Sequence, residues 1–208
     1  MIGWVPFVLS GFIEETGGTE TCRSILAEAG FDPDETFRLD ASYPDAQCRR
    51  MLDVACARFG ISEEAAFEAF APFFLRKARE MFPAFFVRRP TMRAFLLHQP
   101  EVHNTLSAGL KEGHRSHVAA KFRVEPMPGG VRVYYRSANR LAGLYAAIAR
   151  RLGEEFGEPT TVFFEAGKPC DAECVMAIQV EEGEVQDAGV QGAGVQGAGA
   201  HEAGRVPA

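Results

Sequence analysis

The period of the apolar residues changes about two thirds of the way along this chain, and that change limits the folds open to it. Residues 131–136 alternate Val131, Val133 and Tyr135 against Arg132, Tyr134 and Arg136, the period of a half-buried strand. Upstream, the apolar residues recur at helical spacing over about 3–17, 20–29, 44–59, 62–79 and 83–97. Downstream, strand signals cover 117–125, 131–136, 160–164 and 174–180, with a helix over 138–156 between the middle two. Helices first and β-β-α-β-β afterwards predict an α+β domain. Its N-terminal helical subdomain precedes a four-stranded, mostly antiparallel sheet with a crossover helix.

Local punctuation supports these limits. Thr19 or Thr21 is a candidate cap for the second helix, and Ser62-Glu63-Glu64 opens the fourth with acidic residues at the positive end of its dipole. Pro44 suits the first turn of the third helix. Gly18 and Gly30 stand where C-terminal caps belong. Pro83 and Pro90 predict bends. Pro126-Met127-Pro128-Gly129-Gly130 reads as the turn between the first two strands. From residue 181 the unit Gly-Ala-Gly-Val-Gln recurs without any aromatic residue. Such a segment buries too little apolar surface to offset the entropy of ordering, so residues 1–180 are expected to fold and 181–208 to form a disordered tail.

The net charge of −6 argues against nucleic acid as a partner, since that needs a basic face. Residues 1–12 are apolar but lack a basic n-region, and no apolar run reaches membrane-spanning length. The five cysteines, odd in number and irregular in spacing, fit a reducing compartment. A cytoplasmic protein without a membrane partner is the expectation. Seventeen Phe against one Trp and four Tyr point to a large apolar interior or a pocket for an apolar ligand.

The segment Pro100-Glu101-Val102-His103-Asn104-Thr105-Leu106 puts a histidine on the apolar face of a helix that Pro100 would open. His103, Leu106 and Leu110 share that face, with Val102 beside them. One reading is a core histidine bonded to a backbone carbonyl. The other is an axial metal ligand, since imidazole suits iron and a heme needs a single protein ligand and an apolar slot. Zinc usually asks for three or four ligands. Tyr135-Arg136-Ser137, at the end of a strand, is a polar cluster suited to the rim of such a slot. His98 precedes the break at Gln99-Pro100, and His114 and His117 read as members of a solvated loop.

Several short motifs occur in an informative order. They are Met1-x-Gly3, Phe82-Pro83-x-Phe85-Phe86, Glu101-Val102-His103, Tyr135-x-Ser137, Leu141, and the cysteines Cys170 and Cys174. In this order and spacing the chain resembles the H-NOX (heme–nitric oxide/oxygen binding) family, related to the sensor domain of soluble guanylate cyclase, from residue 1 to about 180. The resemblance implies heme b as cofactor and His103 as proximal ligand to its iron. It implies that Tyr135 and Ser137 bind the heme propionates, and donors of this kind suit an anionic carboxylate. Asn139 departs from the family's Tyr-x-Ser-x-Arg. An ungapped register puts Asn139 at the arginine position, and a one-residue bulge would put Arg140 there.

The resemblance also implies a distal pocket formed by Val5, Phe74, Leu144 and Ile148. None of these donates a hydrogen bond, which predicts binding of nitric oxide and carbon monoxide without stable dioxygen binding. Tyr145 would take the distal tyrosine position in the bulged register alone, so one register choice decides both Arg140 and Tyr145. The implied output is a switch: the bond between iron and His103 weakens under nitric oxide, and the shape change is read by a partner. Partners of this kind are a histidine kinase, a cyclic-di-nucleotide enzyme or a chemotaxis receptor. The chain shows no Gly-rich phosphate loop, nucleophile–base signature or paired carboxylates of its own, so no enzyme activity is expected. Two other readings stand beside this one: a heme-free interaction domain on the same scaffold, and a thiol redox or zinc centre at Cys170 and Cys174.

Overall fold

The computed structural model describes residues 1–87, 91–107 and 122–181, with the backbone alone at His103, Leu106 and Ser107. Pro90, Leu110, His114, His117, the opening of the 117–125 strand and the tail from 182 onward lie outside the described residues. Among the described residues six helices come first: α1 Trp4–Gly17, α2 Thr19–Ala29, α3 Asp45–Phe59, α4 Glu63–Met81, α5 Ala84–Val87 and α6 Met92–Ser107. The strands β1 Phe122–Met127 and β2 Gly130–Arg136 follow, then α7 Ala142–Phe156, β3 Thr160–Ala166 and β4 Glu173–Val180. The four strands are all antiparallel, in the order β1-β2-β4-β3. This is the α+β architecture that the change of period predicts, with α7 as the crossover helix.

The alternation in β2 sorts its side chains as expected. Val131, Val133 and Tyr135 are buried, while Arg132 lies on the outer face and pairs with Glu165 at 2.7 Å. Val133 stands opposite Val124 of β1 and Met176 of β4. The β1–β2 turn is two residues, Pro128 and Gly129, and Gly129 takes a φ of 69°. That left-handed conformation after proline suits glycine.

The apolar residues form two cores that share α7. One is built from α1 to α4, with Ile13, Ile25, Met51, Phe67 and Phe70 buried, and takes Leu144 and Ala147 from α7. The other joins α6 to the sheet, with Met92, Leu96, Val133 and Met176 buried, and takes Tyr145, Ala146, Ala149 and Leu152 from α7. Spacings of one and three to five residues around α7 distribute its side chains to two sides. Its small residues let neighbours approach: a Cβ on Gly153 would lie 2.2 Å from Thr160 Oγ1. Gly3 of the first motif is similarly confined, because a Cβ there would lie 1.8 Å from the Arg38 carbonyl oxygen.

Four local expectations are corrected. Neither Thr19 nor Thr21 caps α2; Gly18 occupies the N-cap position, and Thr19 Oγ1 donates to Glu14 Oε1 at 2.8 Å. The link between α1 and α2 is that single glycine, so Thr19 is already inside the helix. Pro44 stands at the N-cap of α3, one residue before its first turn. The apolar region from 83 is not one helix to 97, and Pro100 does not open the next: α5 is short, and α6 starts at Met92 and runs through Pro100. The start of α6 is held by Thr91 Oγ1, which accepts from Ala94 N at 3.1 Å, and by Glu158 Oε2, which accepts from Met92 N at 2.9 Å. With Met92, Phe95 and Leu96 buried on the sheet, these contacts offset the roughly 3 kcal/mol that an internal proline costs. Finally, α7 begins at Ala142 and not at 138, because Arg140 takes a left-handed φ of 52°. Ser62 caps α4 as expected, accepting from Ala65 N at 3.2 Å, and Gly30 ends α2 in the left-handed conformation.

Candidate functional site

Between the two cores lies an apolar hollow in two adjoining lobes. Ile2, Val5, Phe74, Gln99 and Ile148 line both lobes. The first lobe reaches the α4–α5 corner, where Ala78, Phe82, Phe85 and Phe86 face it. Its aromatic wall is interlocked: the Trp4 ring meets Phe74 and Phe82 edge-on, at 5.7 and 5.1 Å between centroids. The second lobe is bounded by Phe122, Tyr135, Asn139, Leu141, Leu144 and Tyr145. All four residues predicted for the distal pocket, Val5, Phe74, Leu144 and Ile148, therefore face one cavity.

Helix α6 supplies Gln99 and Val102 to this cavity. His103 follows Val102 directly and lies one helical turn after Gln99, which puts its position on the cavity side of α6. His98 is elsewhere: its Nδ1 lies 2.8 Å from Glu101 Oε2 at the surface.

The polar motif forms a self-bonded turn. The Tyr135 hydroxyl donates to Asn139 Oδ1 at 2.6 Å and accepts from Leu141 N at 2.8 Å. Ser137 is buried, its Oγ accepting from Asn139 N at 3.4 Å and its own N–H bonded to the Ala172 carbonyl at 2.7 Å. Burial pushes the Tyr135 hydroxyl up to about 12, against the opposing pull of the Leu141 N–H. Of the four motif residues, Tyr135 and Asn139 reach the cavity wall. Arg140 is exposed, and its carbonyl accepts from Arg49 Nη1 at 3.2 Å. Asn139 therefore faces the cavity, and Arg140 faces solvent.

Tyr145 also lines the cavity. Its ring packs on Phe122 at 5.2 Å, on the sheet side. Its hydroxyl is buried and finds no hydrogen-bond partner among the described residues, and the same holds for Gln99 Oε1. Gln99 and Phe122 went unremarked in the sequence. The signal for Gln99 is its spacing of four residues from His103; nothing local marks Phe122.

Cys170 is exposed in the β3–β4 turn, while Cys174 is buried in β4. Burial pushes the Cys174 thiol up to about 11, leaving little thiolate near neutral pH. No group of three or more His, Cys, Asp or Glu side chains suited to a metal ion occurs among the described residues.

The model of the Haem-NO-binding family matches residues 2–163. The chain belongs to that family. Its fold is that of solved H-NOX domains. An oxygen-binding H-NOX domain related to soluble guanylate cyclases, solved as its oxygen complex, superimposes with a TM-score of 0.69 over 87% of this chain and 94% of that one, at 18% identity. An H-NOX protein from S. oneidensis in the Fe(II)NO ligation state gives 0.72 over 88% and 100%, at 12% identity. At such identities the likeness concerns the fold alone. The soluble guanylate cyclase gcy-37 of Caenorhabditis elegans is 31% identical over 80 residues, 38% of this chain and 11% of that protein. H-NOX domains bind heme and gaseous ligands and act as sensing modules for effector domains. The residues of this H-NOX chain suit such a group: the hollow is apolar and aromatic, α6 borders it, and its partnerless polar atoms face inward. The end near Asn139 differs in that no guanidinium from the 135–141 turn faces the cavity. No helix among the described residues is long and apolar enough to cross a membrane.

Proposed function

We propose that this chain is a cytoplasmic heme-based nitric oxide sensor domain that acts on a partner protein and has no catalytic site of its own. The observation that carries this reading is the apolar cavity between the two cores, bordered by the α6 turn that includes His103 and lined by Val5, Phe74, Leu144 and Ile148. The cofactor is heme b, which when bound supplies a ferrous iron able to take nitric oxide or carbon monoxide as a ligand. His103 ligates that iron from α6. Tyr135, Ser137 and Asn139 hold the propionate end through neutral hydrogen bonds, and Arg140 stays outside. Val5, Phe74, Leu144 and Ile148 offer no donor to a bound diatomic molecule, which favours nitric oxide and carbon monoxide over dioxygen.

Loss of a bond between His103 and the iron would free α6 to shift against the sheet on which Met92, Phe95 and Leu96 are packed, giving two states with different contacts. The partner is a histidine kinase, a cyclic-di-nucleotide enzyme or a chemotaxis receptor. Residues 1–180 form the sensor.

The test is a visible spectrum. Full-length protein expressed with added heme should show a strong Soret band, and His103→Gly should lose it or need added imidazole to keep it. An unchanged spectrum in that variant overturns the ligand assignment. Colourless wild-type protein favours the second reading, a heme-free interaction domain. That reading draws on the closed Tyr135–Asn139 bond. A redox role for Cys170 and Cys174 is disfavoured by the raised Cys174 thiol.

A further inference from the structure

Arg49 of α3 uses a different nitrogen for each of three elements. Its Nε pairs with Asp53 Oδ1, one turn on in the same helix, at 3.3 Å. Its Nη2 pairs with Glu63, the first residue of α4. Its Nη1 donates to the Arg140 carbonyl at 3.2 Å. The two carboxylates fix the plane of the guanidinium, so its third arm is already aimed where it meets the turn. The N–H of that same peptide unit, on Leu141, donates to the Tyr135 hydroxyl at 2.8 Å, and the hydroxyl donates to Asn139 Oδ1 at 2.6 Å. A trans peptide points its C=O and N–H in opposite directions. The unit is therefore gripped from the helical side by Arg49 and from the sheet side by Tyr135. Arg140 needs such a grip. Its φ of 52° is the left-handed conformation, which a residue with a Cβ keeps only where its surroundings hold it.

We propose that Arg49 is a positioning residue for the cavity site, acting through this chain of hydrogen bonds to present the Asn139 carboxamide to the cavity. This rests on the heme reading above, in which Asn139 bonds a propionate. Without the Nη1 bond the Arg140 carbonyl loses that donor, and the peptide unit relaxes toward an ordinary φ. Its N–H then turns away from the Tyr135 hydroxyl, which is no longer held in line with Asn139 Oδ1. Arg49 exerts this effect from outside the cavity. It borders a separate small hollow that shares Leu141 and Leu144 with the second lobe. A lysine does not replace it, since a single ammonium on a flexible stem cannot serve three groups in a fixed fork.

The experiment follows heme transfer to apomyoglobin from the heme-loaded full-length chain, in wild type, Arg49→Lys, Asn139→Ala and the double variant. Arg49→Lys keeps a cation for Glu63 and Asp53 but loses the arm that reaches the turn. It is expected to release heme about tenfold faster, the effect of one lost hydrogen bond to the propionate. In the Asn139→Ala background the same substitution should change the rate by less than about twofold, because Arg49 acts through Asn139. A residue that merely ties helices together would speed release by the same factor in both backgrounds. That result, or a wild-type rate in Arg49→Lys, refutes the positioning role while the heme reading stands. Hydrogen exchange at the Leu141 amide reads the turn in heme-free protein. It should be faster in Arg49→Lys and in the neutral variant Arg49→Gln, and unchanged exchange in both overturns the proposal. If wild type takes up no heme, the proposal falls together with the heme reading.

Discussion

The two walls of the cavity are made differently. In the second lobe, the wall from Ile2, α1 and α4, with the Leu144–Ile148 side of α7, is apolar: Ile2, Val5, Phe74, Leu144 and Ile148. The wall from α6, β1 and β2, with Tyr145 of α7, carries Gln99, Tyr135, Asn139 and Tyr145 among its aromatic rings. A single helix contributes to both, because Leu144 and Tyr145 are adjacent and point about 100° apart around the helix axis. In that lobe the first wall offers no hydrogen bond to whatever it covers, whereas the second carries Gln99, Tyr135, Asn139 and Tyr145. On the function proposed above, selection against ligands that need a donor belongs to the first wall, and anchoring belongs to the second.

The largest expected effect comes from breaking the polar wall. Tyr135→Phe removes the donor to Asn139 Oδ1 and the acceptor for Leu141 N, leaving two groups without partners in and beside a buried turn. A loss of about 3 kcal/mol is expected, seen in thermal melting as a drop of about 10 °C. A drop within error would mean that the turn is not held by this hydroxyl.

Alkaline pH probes the same hydroxyl. Its value in the folded protein, about 12, lies above its ordinary 10.0 because burial disfavours the charged form. The unfolded chain therefore ionises first. The stabilisation is complete below pH 10 and is lost as pH rises toward 12. Urea midpoints of wild type and Tyr135→Phe should converge over that window, and parallel curves would contradict the assignment.

Two substitutions sharpen the contrast between walls. Asn139→Arg restores a guanidinium at the propionate end and frees the Tyr135 hydroxyl, so heme transfer to apomyoglobin should slow about tenfold. Leu144→Tyr puts a donor on the apolar wall, and dioxygen affinity should rise by about the same factor. The smallest effect is expected outside the cavity. Arg132 holds the Glu165 carboxyl below its usual range through a solvent-exposed pair on the outer sheet face, and screened pairs of this kind contribute little. Glu165→Gln should leave both the melting temperature and the heme spectrum where they are.

Much of this was legible in the residues. Alternation at 131–136 specified which face of β2 is buried, and the order of helical and strand periods specified the α+β layout, because both depend on side chains a few positions apart. Val5, Phe74, Leu144 and Ile148 were identified through the family resemblance, and their convergence on one cavity fits it. What the sequence could not decide depended on partners far along the chain. The start of α6 is held by the Glu158 carboxylate, sixty-six residues from Met92, so Pro100 looked like a beginning when it is an interior residue. That Asn139 faces the cavity and Arg140 the solvent depends on a left-handed backbone at Arg140 and on the Tyr135 hydroxyl closing the turn. Tyr145 reaches the cavity because α7 is shared between two cores. Local period determines which residues turn inward. Only the tertiary structure decides which of the inward polar groups find partners and which, like Gln99 and Tyr145, are left facing the cavity.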